Sequence, residues 1–133
     1  MQKDVQLCVV GKVFKPNRLK VLALNRTLEK YFELVKWYLS FNSSSKTFLH
    51  KNGYEIAKKL FNLNTALIQT ARDKAVEILK SFEKNGREDS ILSLKRISIR
   101  FDERCYSFSK TTNVLTPYWL TVSLDKREKI SLP

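Results

Sequence analysis

From Arg18 to Lys84 the apolar residues recur every three or four positions, and on both sides of that block they alternate with polar ones. A period near 3.6 builds a helix and a period of two builds a strand, so one element cannot carry both. The chain is therefore expected to run strand, helices, strands. The simplest packing of that order is α+β: an antiparallel sheet or small oligonucleotide-binding-like barrel, with the helices inserted after its first strand. One domain is expected over residues 1–133, with residues 4–14 and 91–132 forming the barrel and residues 18–84 the helical lobe.

The first strand is Val5–Phe14, with Val5, Leu7, Val9 and Val13 on one side and Gly11 where a bulge would sit. A helix over Arg18–Phe41 aligns Val21, Leu24, Leu28, Tyr31, Val35 and Tyr38 on one stripe, and Trp37 lies off it, facing another element. Asn42-Ser43-Ser44-Ser45 breaks that helix, and a short piece follows over Lys46–Lys51. Asn52 with Glu55 three residues later has the form of a capping box, opening a helix through Phe61. Asn64 caps a last helix, Thr65–Lys84, whose apolar face is Leu67, Ile68, Ala71, Ala75, Ile78, Leu79 and Phe82, and Asn85-Gly86 stops it. Strands are expected over Ile91–Phe101, Cys105–Thr111, Leu115–Leu124 and Lys129–Leu132.

Charge narrows the function. The 133 residues hold 25 Lys+Arg against 13 Asp+Glu, a net +12. A field of that sign attracts polyanions, nucleic acid before anionic membrane; a lysine-rich solubilising surface is the competing reading. The excess is uneven: residues 1–50 carry 9 basic and 3 acidic side chains, residues 51–90 carry 8 and 6, and residues 91–133 carry 8 and 4. The middle balances its charges and the two ends do not.

Several chemistries find no residues to perform them. His50 is the only histidine, and neither Cys8 nor Cys105 has a CxxC partner, so no metal site is expected. Gly11, Gly53 and Gly86 are isolated, so no phosphate-cradling loop forms. The acidic pairs Glu88-Asp89 and Asp102-Glu103 suit solvated turns better than a two-carboxylate site. No enzyme, catalytic residue or cofactor is expected. The two cysteines are expected as reduced thiols in an intracellular protein, and no membrane partner is expected.

What remains is basic residues mixed with aromatics on strands. In Lys95–Phe101, Ile97, Ile99 and Phe101 point to one side, and Arg96 and Arg100 to the other. Phosphate contacts are expected from Lys12, Lys15, Arg18, Lys20, Arg96, Arg100 and Arg104. Tyr106 and Phe108 could stack on bases, but packing inside the barrel is favoured.

The segment LHKNGYEIAKKLFNLNTALIQTARDKAVEILKSF, Leu49–Phe82, resembles the helical segment of TnpB/OrfB-type proteins. These are transposon-encoded RNA-guided nucleases related to type V CRISPR effectors. The resemblance rests on Leu49-His50-Lys51, Tyr54, the junction Leu60–Leu63, Gln69, Ala71 and Ala75. VFKPN near the start and SIRFDERCYSFSK…YWLTVSL…KISLP in the tail are similar to the flanking strands of that family. It implies a wedge-type barrel interrupted by a recognition lobe, holding guide-like RNA and reading duplex DNA. It carries a DNA-reading role to Gln69, with Thr65 one turn earlier. The family's RuvC-like nuclease half and its cysteine-based zinc element have no counterpart here, so cleavage is not expected. A truncated relative, or the amino-terminal part of a longer protein, fits that departure. The alternative expectation is a protein-interaction module, motivated by the broad apolar face of the first helix and Trp37.

Overall fold

The computed structural model describes residues 12, 13, 15–84, 97–124 and 129–133. Three helices, α1 (Arg18–Leu39), α2 (Lys46–Phe61) and α3 (Thr65–Lys84), precede three strands, β1 (Tyr106–Lys110), β2 (Tyr118–Ser123) and β3 (Lys129–Leu132). The strands form an open antiparallel sheet in the order β1-β2-β3. Phe108 faces Leu120, which in turn faces Leu132. The fold is α+β, as expected.

Local chemistry explains the helix limits. The Asn17 side chain accepts the Leu19 N–H at 2.8 Å and caps α1. Ser45 does the same for Phe48 N at 3.2 Å and opens α2. Asn64 accepts the Ala66 N–H at 2.9 Å and opens α3, as expected. Asn62 ends α2 in the left-handed region at φ 48°, which asparagine tolerates.

The helical core is built where the three helices meet. Tyr31, Leu34, Val35 and Tyr38 of α1 pack with Leu49 and Ala57 of α2 and with Leu67, Ile68, Ala71 and Ala75 of α3. Gly53 lets α1 and α2 approach: a β-carbon there would stand 3.2 Å from both the Trp37 and the Tyr38 ring. Trp37 thus meets another element, as its place off the stripe suggested. A second core joins Ala23 of α1 to Val122, Leu124, Ile130 and Leu132, and Phe101 packs against both cores. Asn64 N donates to Leu124 O at 3.0 Å, tying the start of α3 to the end of β2.

Some expectations need correction. Asn52 is no cap: α2 is continuous from Lys46, and the Asn52 amide donates back to Phe48 O at 2.8 Å within it. Ser45, seven positions earlier, supplies the cap, so the break and the short piece merge into one helix. The strand expected over Ile91–Phe101 does not form in its described part, residues 97–101. Burial does alternate there, with Ile97, Ile99 and Phe101 turned inward as expected, and what they pack on is the helical core. The carbonyls of Ser98 and Arg100 take hydrogen bonds from Lys74 and Thr70 of α3, and among the described residues no strand pairs with them. Tyr106 and Phe108 are not packed inside: they are 39% and 70% exposed, and among the described residues the core that Ala23 and Leu24 of α1 join reaches β2 and β3 but not β1. The expected strand Val5–Phe14 lies outside the described residues apart from Lys12 and Val13, which belong to no regular element.

Candidate nucleic-acid interface

The expected site residues fall into two groups. The first forms where the segment before β1 crosses α3. Asp102 accepts the backbone N–H of Arg104 at 2.9 Å and folds the chain into a tight turn, which aims the Arg104 side chain back across Asp102. Arg104 Nε donates to Asp102 Oδ2 at 2.9 Å, and its NH2 group bonds the same oxygen. The pair holds the Asp102 carboxyl below its ordinary value, first through the Arg104 hydrogen bond. The remaining arm of the guanidinium, NH1, donates to Gln69 Oε1 at 2.5 Å.

This contact joins two residues 35 positions apart that the sequence singled out on separate grounds. It leaves the NH2 of the Gln69 carboxamide as an unused donor among the described residues. Thr65 stands one turn earlier on α3 and is exposed. Arg104, Gln69 and Thr65 thus make a solvent-facing polar strip with hydrogen-bond donors for phosphate oxygens or base edges.

Arg100, on the same segment, is already engaged. Its guanidinium forms a fork with Glu77, at 3.0 Å and 2.6 Å. That bond lowers the Glu77 carboxyl and raises the Arg100 guanidinium further. Both side chains are about half exposed, so the pair can open at little cost.

The second group lies at the start of α1 against the sheet. Lys20 Nζ donates to Ser131 O at 2.5 Å and stands 5.5 Å from the centre of the Trp119 ring. Arg18 is exposed beside it in sequence, as is Lys15, where the backbone takes a positive φ of 40°. Lys12 is exposed too, and borders an apolar cleft of about 430 Å³ lined by Phe108, Leu115, Tyr118 and Leu132. Arg96 lies outside the described residues.

A third basic cluster was not foreseen. Lys46, His50 and Lys51 of α2 meet Arg72 of α3 around a cleft of about 320 Å³. The signal was present as Lys46 and His50 four residues apart. What the sequence does not mark is Arg72, which packing brings to His50 from 22 positions away. Among the described residues no group of three His, Cys, Asp or Glu side chains could hold a metal ion, and no helix is long and apolar enough to cross a membrane. No protein-family model matches the chain, and no curated protein matches it either.

Proposed function

We propose that this chain is a nucleic-acid-binding module that holds RNA or DNA by its backbone without cleaving it. The carrying observation is the Gln69–Arg104 contact on a solvent-facing strip of a protein with net charge +12. In this reading Gln69 and Thr65 face bases or sugars, while Arg104, Lys20, Arg18, Lys15 and Lys12 meet phosphates. Arg100 joins them when its pair with Glu77 opens. The three-stranded sheet is then the visible part of an oligonucleotide-binding-like barrel, with α1–α3 as the helical insertion of a TnpB/OrfB-like wedge and recognition lobe.

The test is filter binding with single-stranded RNA, structured RNA and duplex DNA at several salt concentrations. Neutralising about five phosphates gives a log–log salt slope of roughly −4 to −5 on duplex. Gln69→Ala should weaken binding without changing that slope, and Arg104→Gln should flatten it by about one. Affinity that does not move between low and moderate salt would sink the reading.

A protein-interaction module is the second reading. Trp37 no longer argues for it, since its ring is packed against Gly53, Phe41 and Phe61 inside the monomer. Leu19 and Leu22 of α1 do, at 74% and 53% exposed. This reading expects Leu19→Gln with Leu22→Gln to abolish any self-association seen on gel filtration. A monomer at all concentrations removes a second copy as the partner.

A further inference from the structure

We propose that the cleft between α2 and α3 bounded by Lys46, His50, Lys51 and Arg72 is a binding site for one phosphate group. It is distinct from the Gln69–Arg104 strip and does not depend on the nucleic-acid reading. The argument starts from Arg72, whose side chain is only 15% exposed. Its Nε and NH2 donate to Asp73 Oδ1 at 3.1 Å and 3.0 Å, and its NH1 meets His50 Nδ1 at 3.1 Å. A guanidinium has no acceptor, so His50 must accept on Nδ1. That contact leaves Nε2 as the ring nitrogen that Arg72 does not occupy. Tyr54 stacks on the His50 ring at 4.7 Å and fixes its plane.

The cleft is lined by His50, Arg72, Thr47 and the two lysines Lys46 and Lys51. Asp73 is the opposing charge. It is occupied by Arg72 and, at 3.7 Å, by Lys46, which leaves the cluster net positive. Donors converge here from two helices, and the volume of about 320 Å³ holds a tetrahedral oxyanion with room for water. A second sign of an incompletely satisfied polar centre lies nearby. The Tyr38 hydroxyl is wholly buried, has no hydrogen-bond partner among the described residues, and feels the charges of Arg72 and Asp73.

The test is a titration of the whole chain with inorganic phosphate, followed by backbone amide NMR in chloride buffer at constant ionic strength. Saturable shifts at Lys46, Thr47, His50, Lys51 and Arg72 are expected. Lys51→Gln, an exposed change that leaves the fold intact, should weaken the apparent affinity about threefold or more. Arg72→Gln should weaken it further; folding of that variant is checked by circular dichroism, and Lys51→Gln is the deciding variant. Shifts that are absent, non-saturable, or equal in Lys51→Gln overturn the proposal. A dinucleotide with and without a 5′-phosphate then separates the sources. Preference for the phosphorylated form identifies a terminal phosphate, equal binding identifies an internal diester, and a response to inorganic phosphate alone identifies a small free anion. If phosphate binds here while nucleic acid fails to bind in the filter assay, this site stands and the nucleic-acid reading falls; the reverse pattern separates them the other way.

Discussion

Replacing Thr70 by valine should cost about 2 kcal/mol, far more than the loss of one atom suggests. Thr70 is 3% exposed, and its hydroxyl sits between three oxygens. Arg100 O lies at 2.8 Å, Leu67 O at 3.1 Å and the Tyr31 hydroxyl at 3.1 Å. A hydroxyl donates once, and the shortest contact assigns that proton to Arg100 O, so Tyr31 donates to Thr70. Valine keeps the shape but removes the acceptor. Tyr31, with no exposed surface, then loses its Thr70 acceptor and keeps only its contact with the Arg100 backbone, a loss of about 1–2 kcal/mol. The Arg100 carbonyl loses one donor, and its partly solvated segment limits that to about 0.5 kcal/mol. Tyr31→Phe removes the phenol itself and should cost about 1 kcal/mol or less. In the double variant no phenol is left without its acceptor, so its cost should fall short of the sum of the two single costs by about 1 kcal/mol. Urea denaturation of the four proteins with an unchanged m-value measures this directly. Additivity within about 0.3 kcal/mol, or a Thr70→Val cost under about 0.5 kcal/mol, would refute the assigned proton order. The network matters beyond stability because it pins Arg100, four residues before Arg104, to the helix that carries Gln69.

Four single sites give further expected outcomes. Burial pushes the Tyr38 phenol from 10.0 up to about 12, so its contribution to stability is full below pH 10 and is lost as pH climbs through 12; Tyr38→Phe should remove that part of the alkaline slope in pH-dependent denaturation, and at pH 7 it should be neutral or slightly stabilising. Burial likewise pushes the Cys105 thiol up to about 11, so in a Cys8→Ser background iodoacetamide at pH 8 should modify the native protein far more slowly than the urea-unfolded chain, read by mass spectrometry. Gly53→Ala should change stability by less than about 1 kcal/mol, since the gain in helix propensity offsets crowding at 3.2 Å; Gly53→Leu has no such offset and should cost about 2–3 kcal/mol in thermal unfolding. Glu77→Gln releases Arg100 and should raise nucleic-acid affinity about two- to fivefold in the filter assay, whereas an unchanged affinity would mark Arg100 as purely structural.

Much of this architecture was legible from local signals. The order of helices and then strands follows from the change in hydrophobic period, and Asn64 and Lys129–Leu132 are observed where their patterns place them. Local signals misled where two of them competed. Asn52-x-x-Glu55 has the form of a cap, yet Ser45 opens the helix, and once α2 packs Leu49, Gly53 and Ala57 on one buried face, Asn52 is left on the exposed one. Ile97, Ile99 and Phe101 alternate and are half-buried like one side of a strand, but among the described residues it is α3 side chains that bond the Ser98 and Arg100 carbonyls. Alternation reports which side chains turn inward; it does not report what the backbone pairs with.

The same limit governs the candidate sites. Sequence alone determined the basic excess, the residue types that rule chemistry in or out, and the amphipathic character of the first and last helices, because these depend on composition and on spacing within one element. Which partner each cation takes was decided only by the tertiary structure. Arg100 closes on Glu77 across 23 positions, Arg104 reaches Gln69 across 35, and Arg72 meets His50 across 22. The exposure of Tyr106 and Phe108 was decided there too: the core that α1 shares with the sheet takes in β2 and β3, and among the described residues not β1. Each of these depends on packing between elements, and a charged or aromatic side chain carries no mark in the sequence of the partner that packing will bring to it.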